Sequence, residues 1–555
     1  MNETISTIIK RLFDRDIDVV LTRPDAQFGD WATNTALQLA KPLGKNPRDV
    51  AEEIARELRS NEDISDVTIA GPGFINIKLA DAAVISLIKK EPVPHMSGQT
   101  VVLEYSCPNA FKELHTGHLY NTIFGDILAR LMQLNGAKVE RTSFGGDVGL
   151  HVAKCLWGIC EELGGELPEK LSDAVTEDPF ERSLWISQRY VQGASAYEND
   201  EAAKNTIDEL NKTIYGFHNT NNHDSNLAKI YWETRQWSFD YFDAFYDLIK
   251  VDHMRYYPES QTAIPGLAVV QEQLKAGNLK ESNGAVVFEG DESKHLHTRV
   301  FVTSKGLPTY ETKDIGVIWM EKEEYNFDHR YLITGNDQRE YMRVVFAAAE
   351  TFRPELAGTM THMTNGTVKF ADGKKMSSRL GNVTRALEVI EIVREKVSQI
   401  IEDKALIDDV TLGAVKYAFA RYKLGGDISF DIEETVSLQG NSGPYLQYAH
   451  ARARRILEKS ESTTLLSSEI FEEDRQLMRK LSEYSETVEL AARQLEPHHI
   501  CNYLFELAQE FNRYYEKNKV IGSDKEVHRL GLVATYADTI KAGLTILGIY
   551  APEKM

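Results

Sequence analysis

His115 and His118 stand three residues apart in "ELHTGHLYN", where a loop passes into an amphipathic helix. Residues at i and i+3 share a helix face, so both imidazoles meet whatever lies at that helix start. Three chemistries suit the pair. The rings are satisfied structural groups, or they ligate a metal as helical histidine pairs do in zinc sites. Alternatively they donate to phosphate, helped by the dipole and backbone N–H groups of a helix N-terminus. The metal reading lacks partners, since no HExxH and no nearby cysteine accompany the pair and only Asp126 shares the helix. The phosphate reading gains from Gly117, which lets a base or phosphate approach the backbone. It gains again from the point charge of Lys112. A second cluster, "KFADGKKMSSRLGN" at 369–382, sets Lys369, Lys374, Lys375 and Arg379 around Met376, Ser377 and Ser378. By itself this is a solvated basic turn. At the far side of a nucleotide site it is what a leaving pyrophosphate needs. Neither a Walker A loop nor a GxGxxG fingerprint is present.

The elements around these residues follow from periodicity. "VVLEY" (101–105) reads as a buried strand broken by Pro108 and Asn109. Leu119, Ile123, Ile127, Leu131 and Leu134 then recur at helical spacing up to a stop at Asn135-Gly136. "KVERTSF" is the next strand, and strand, helix, strand implies a parallel sheet. Before it, residues 1–95 read as a small α+β unit. Its helix "NPRDVAEEIARELRS" opens on Asn46 as N-cap and Pro47 at N1. Its strands lie on either side of the Gly-Pro-Gly turn in "DVTIAGPGFINIKLA". Residues 160–295 mix helices with Asn-rich loops and behave as an insertion. "HTRVFVTSKG" and "HRYLITGND" read as strands returning to the sheet, with "REYMRVVFAAAE" as the following helix. Beyond about residue 380 the pattern is helical almost throughout. The expected domains are 1–95, 96–375 with the insertion, 376–425 as loop and helical stem, and an all-α unit over 426–555.

At 555 residues the chain exceeds one core. Its 42% hydrophobic and 26% charged content are those of a globular protein. No stretch approaches the roughly 18 apolar residues of a membrane span, and "MNETISTIIKRLFDRDID" has no apolar signal core. Cys107, Cys155, Cys160 and Cys501 form no CxxC pair, which predicts a reducing cytoplasm and no cysteine zinc site. The net charge of −21 argues mildly against a nucleic-acid partner without excluding one, since a local basic stripe suffices.

"HTGH" opening a βαβ half and "KMSSR" closing the second, in that order, resemble the two signatures of class I aminoacyl-tRNA synthetases. "EYSCPNAFKELHTGHL", "GDWATNTALQLAK", "NSGPYLQYAHARARRIL" and the closing "APEKM" narrow the resemblance to the arginyl-tRNA synthetase family. It runs the length of the chain and is poor only over about 160–250. The resemblance implies an α/β protein with three parts. These are a Rossmann-type parallel-sheet catalytic domain split by an insertion, a small α+β N-terminal domain touching the tRNA elbow, and an all-α anticodon-binding domain.

It implies an enzyme joining L-arginine to tRNA(Arg) at the expense of ATP, with Mg²⁺ accompanying ATP rather than held in a protein cage. The expected setting is a cytoplasmic monomer. By similarity, Lys112, His115, Gly117, His118, Lys375, Met376 and Ser377 serve ATP. Glu104, Asp314 and Tyr310 receive the guanidinium, and Asn109 and Gln338 the α-amino group. The carboxylates fit this role chemically, because a buried carboxylate without a cationic partner is costly and a guanidinium fork supplies one. Tyr445, Ala449, Tyr515 and Met555 match positions that meet the anticodon, and Asn76 one that faces the tRNA elbow. Three positions depart from the family pattern: Ser378 replaces the second lysine of the class signature, Val148 a tryptophan and Thr116 an aliphatic residue. The family's activation step commonly requires bound tRNA. A non-catalytic tRNA-binding paralogue is the rival, against which the intact HTGH, Lys112 and KMSSR speak.

Overall fold

The computed structural model describes all residues except 372–384, 461–463, 465 and 467–469. Its centre is a five-stranded parallel sheet of β1 (Thr100–Glu104), β2 (Lys138–Gly145), β3 (Arg255–Pro258), β4 (His329–Gly335) and β5 (Met360–Asn365). The spatial order is β5-β4-β1-β2-β3. The chain winds outward from β1 in one direction and then from β4 in the other. That reversal opens a crevice at the carboxyl ends of β1 and β4, where open α/β sheets bind ligands.

Val101, Val102 and Leu103 are fully buried because helices cover both sheet faces. Helix α1 (Thr116–Leu134) packs with Val101 and Leu103 through Leu119, Ile123 and Ile127. On the other face Val102 meets α3 (Tyr310–Tyr325) and α4 (Arg339–Phe352) through Ile315, Ile318, Met342 and Val345. Helix α2 (Glu259–Ala276) follows β3 directly.

The insertion is shorter than its sequence suggests. Helices Leu150–Leu163, Pro179–Asn199, Glu201–Thr220 and Asn226–Leu248 share a separate core of Leu156, Ile186, Ile207, Phe217 and Trp237. The chain is back in the sheet at β3, so the insertion ends near residue 250 and not 295. "RYYP" hides this strand, being four residues long with a terminal proline that an edge position tolerates. "HTRVFVTSKG" does not rejoin the sheet. Arg299–Val302 instead pairs antiparallel with Ala285–Phe288 in a three-stranded unit.

The N-terminal unit has a four-stranded antiparallel sheet in the order Leu21–Thr22, Trp31–Thr33, Phe74–Leu79, Ile64–Ala70. Its helix Pro47–Leu58 starts where Asn46 accepts the N–H of Arg48. The C-terminal part is helical, and this unit packs against it through named ion pairs. Arg475 bonds Asp30 at 2.6 Å and Asp81 at 2.9 Å. Arg23 forks onto Glu486 at 2.8 and 3.0 Å with its guanidinium 3.6 Å from the Trp31 ring. Among the described residues, no helix is long and apolar enough to cross a membrane.

Candidate active site

The loop from β1 to α1 is held in a costly shape. Ser106, Cys107 and Phe111 all adopt left-handed backbone (φ 68°, 50° and 65°), which non-glycine residues avoid. Buried partners hold it there. The Ser106 N–H donates to Asn121 Oδ1 (2.6 Å), that of Cys107 to Ser143 Oγ (3.2 Å) and that of Phe111 to Ser238 Oγ (3.0 Å). Asn121 also donates to the Ile333 carbonyl (2.9 Å) and Asn365 Oδ1 (3.1 Å), so one α1 side chain ties the loop to β4 and β5. At Gly145 an added Cβ would lie 1.9 Å from the Pro108 carbonyl oxygen, so β2 can pass this loop only as glycine.

His115 is the N-cap of α1, and the two histidines close a reciprocal capping box. His115 Nδ1 accepts the N–H groups of Gly117 (3.1 Å) and His118 (3.3 Å), and His118 Nδ1 accepts that of His115 (3.2 Å). The rings stack with centroids 3.7 Å apart. Both Nδ1 atoms are acceptors, which leaves the proton on each Nε2 as an outward donor. Burial, then His115 and Lys112, hold His118 well below the ordinary histidine pKa. His115 is lowered too, by desolvation first and Lys112 second. Two neutral Nε2–H donors therefore face the crevice.

This corrects one sequence expectation. The first-turn N–H groups of Gly117 and His118 are taken by imidazole, so here the side chains and not the backbone offer donors. Gly117 has an internal reason as well, since a Cβ there would stand 2.9 Å from His115 Cε1. The Lys112 ammonium lies 4.2 Å from the Tyr190 ring centroid, on an insertion helix, and acts on both histidines and on His151.

Lys375, Met376 and Ser377, with Lys374 and Arg379, lie outside the described residues. The first described residue after them is Arg385, bridged to His115 with its guanidinium 3.2 Å from Glu113. The next N–H, of Ala386, donates to Leu114 O at 2.9 Å. The first described residues after the second signature therefore meet the first signature, although about 270 residues separate Arg385 from His115 in the sequence.

At the other end of the crevice the expected carboxylates differ from one another. Glu104 is buried but has a cation, because Arg330 reaches its Oε2. The reasoning that burial leaves it seeking a substrate cation therefore does not apply to it directly. Asp314 fits that reasoning: among the described residues no side-chain cation pairs with it, and burial pushes its carboxyl up to about 7. The hydroxyl bound to Asp314 belongs to Tyr341 and not to Tyr310, which is 63% exposed. Asn109 uses Oδ1 to accept the Gly146 N–H (2.8 Å), and exposed Gln338 sits in the turn after β4, donating to Asp337 (2.9 Å).

Four residues here escaped sequence reading. Lys313 and Glu259 form a buried pair at 2.5 Å, with Tyr215 of the insertion 3.4 Å from the ammonium. His151 is held down to about 4 by burial and then by Lys112. Only spacing within "YETKD" hinted at Lys313; nothing local signals Tyr215.

On the helical domain, Tyr445 and Ala449 belong to the packed face. Tyr445 OH accepts from Asn512 (2.9 Å) and its ring meets Phe505. Tyr515 is half-buried beneath Arg452, and Met555 half-buried at the chain end. The exposed aromatics nearby are Tyr448 and Tyr550, which helical spacing alone does not separate from Tyr445. Asn76 lines a cavity of about 280 Å³ with Phe28, Arg475 and Arg479 between the N-terminal sheet and the helical domain. Among the described residues one group could hold a metal, Glu496 with His498 and His499. Lys423 lies 2.9 Å from Glu496 and the group begins a helix, so a cation would meet positive charge there.

Three family models match the chain in sequence: the arginyl tRNA synthetase N-terminal domain over residues 1–79, the class I (R) tRNA synthetase catalytic domain over 83–431 and the DALR anticodon binding domain over 446–555. The arginine–tRNA ligase of Thermobifida fusca is 31% identical, covering 98% of this chain and 96% of its own. That of Shewanella loihica is 30% identical over 99% and 97%. Among solved structures, Thermus thermophilus arginyl-tRNA synthetase shares the fold with a TM-score of 0.81 at 23% identity, covering 100% of this chain and 99% of the other.

Proposed function

Since the chain belongs to the arginyl-tRNA synthetases of class I, we propose that it activates L-arginine with ATP and transfers it to the 3′-terminal ribose of tRNA(Arg). The observation that carries this reading is the polarity of one crevice. Two neutral imidazole donors stand at the β1 end and an unpaired buried carboxylate, Asp314, at the α3 end.

The chemistry needs no protein nucleophile. An oxygen of the arginine carboxylate attacks the α-phosphorus of ATP in line. The new P–O bond makes arginyl-adenylate, and the bond to the bridging oxygen breaks to release pyrophosphate. The terminal 2′-hydroxyl of tRNA then attacks the acyl carbon and AMP leaves. The protein's part is positioning and charge stabilisation. His115 and His118 donate Nε2–H to phosphate oxygens and Lys112 supplies charge. Lys375, Met376 and Ser377 of the second signature are assigned to ATP by the family resemblance alone. Asp314 takes the guanidinium, with Glu104 and Tyr310 near it, while Asn109 and Gln338 hold the α-amino end. The donors at the phosphate end suit phosphate oxygens and not a hard cation, which favours Mg²⁺ arriving on the nucleotide.

In the tRNA-facing parts, Asn76 reads the elbow from its cavity, and Tyr445, Ala449, Tyr515 and Met555 mark the anticodon surface, to which we add the exposed rings of Tyr448 and Tyr550. A cytoplasmic monomer fits this reading. The test is arginine-dependent ATP–pyrophosphate exchange with and without tRNA(Arg), against lysine and methionine. Exchange with arginine alone is expected, and only with tRNA present. Intact tRNA binding with no exchange under any condition would instead favour a non-catalytic paralogue.

A further inference from the structure

Arg330 is among the largest fully buried side chains, 1% exposed on β4 beneath α3. Its Nε donates to Glu321 Oε2 at 2.6 Å and its Nη2 pairs with Glu104 Oε2. Thr142 Oγ1 donates to the other Glu321 oxygen at 2.6 Å. Glu321 therefore has both oxygens engaged. Glu104 does not, since its Oε1 has only the Cys107 thiol at 3.7 Å. Asp314 lies on α3 two turns before Glu321 and, among the described residues, accepts only from Tyr341. From the sheet interior toward the crevice the charges thus alternate as Glu321, Arg330 and Glu104. Asp314 is a further buried carboxylate acting on Glu104, and Arg330 is the cation that acts on both. Three buried carboxylates thus share one guanidinium, an excess of negative charge that one further cation would offset.

The geometry points to Arg330 as the residue that positions Glu104 so that Glu104 and Asp314 together receive a substrate guanidinium. This deepens the arginine-activation reading and rests on it. Burial pushes the Glu104 carboxyl up to about 8; Arg330 opposes this by Coulomb attraction, Glu321 and Asp314 add to it, and the Cys107 thiol donates to the carboxylate. Without Arg330 the carboxyl would hold its proton to still higher pH, lose its fixed orientation and attract a guanidinium more weakly. A further sign is that, among the described residues, buried Arg330 Nη1 has no hydrogen-bond partner. An ion pair with a packing role alone would be expected to satisfy that donor.

The test compares Arg330→Met with Arg330→Lys in arginine-dependent exchange with tRNA. Arg330→Met should raise the KM for arginine about 10- to 100-fold with the KM for ATP within twofold of wild type. Part of that loss should return only above about pH 8, the value of the wild-type carboxyl, as Glu104 gives up its proton. Arg330→Lys should recover most of the affinity. A folded Arg330→Met enzyme with wild-type arginine KM and pH profile would overturn the proposal and leave a packing role only. Should the methionine variant not fold, Arg330→Gln removes the charge and keeps a polar side chain, and a wild-type arginine KM there counts equally against it. If wild type itself shows no exchange, the activity reading fails, which is distinct from an active wild type matched by its variants.

Discussion

The two ends of the crevice are built on opposite principles. At the β1 end, His115 and His118 lie within four residues of each other, partner one another's backbone and stay neutral. At the α3 end, Glu104, Asp314, Glu321 and Arg330 come from β1, α3 and β4, and their charges are tuned by burial and by each other. A local motif can make donors of fixed tautomer, because the capping box needs only one helix turn. A buried charge series needs a sheet and a helix packed over it, since only burial gives it strength and selectivity.

Damage to one end should therefore leave the other's ligand alone. The largest effect is expected at the phosphate end. His118→Ala removes a donor and unstacks His115, and kcat for exchange should fall about 10²–10³-fold with the arginine KM nearly unchanged. Asp314→Asn should do the reverse, raising the arginine KM on the order of 10- to 100-fold and sparing the KM for ATP. Steady-state exchange kinetics on both variants measure the crossover; equal damage to both substrates in either would erase the distinction between the ends.

The ends should also differ in pH response. Asp314 titrates near 7 in the free protein, raised from the usual carboxylate range, so the folded state holds a proton there that the unfolded chain gives up lower. Its contribution to stability is full in acid and lost as pH rises from about 4 to about 7. Melting temperatures of wild type and Asp314→Asn, measured from pH 5 to 8, should shift in favour of the variant as pH rises. A guanidinium prefers the ionised carboxylate, so the arginine KM should fall over the same upper range. The KM for ATP should stay flat there, as the depressed histidines are already neutral. The smallest effect is expected for Gly117→Ala, whose Cβ presses the His115 ring, with a few-fold loss of kcat and no change at the arginine end.

The same contrast explains what could be read from the chain. The histidine pair was legible because i, i+3 spacing at a helix start is a local pattern, and its capping geometry uses the same few residues. β1, α1 and β2 were legible because their apolar periodicities differ. β3 was not: "RYYP" is too short for a period, and the helices before it blurred where the insertion ends. The hydroxyl that meets Asp314 was not legible locally: Tyr310 precedes it on α3 and is exposed, while α4 brings Tyr341 in from 27 residues away. Arg330 did leave a trace, a basic residue in a strand read as returning to the sheet, and its meaning depends on Glu104 lying 226 residues earlier.

By itself the sequence determined the two signatures, the helix start that presents them, and the family they mark, because each is a short-range pattern of residue types. Tertiary structure alone decided which buried carboxylate has no paired cation among the described residues, which tyrosine hydroxyl bonds it and where the second signature's flank is anchored. Those outcomes depend on burial and on charges brought together from distant segments, and a pKa or an ion pair has no value until the fold sets its dielectric and its neighbours.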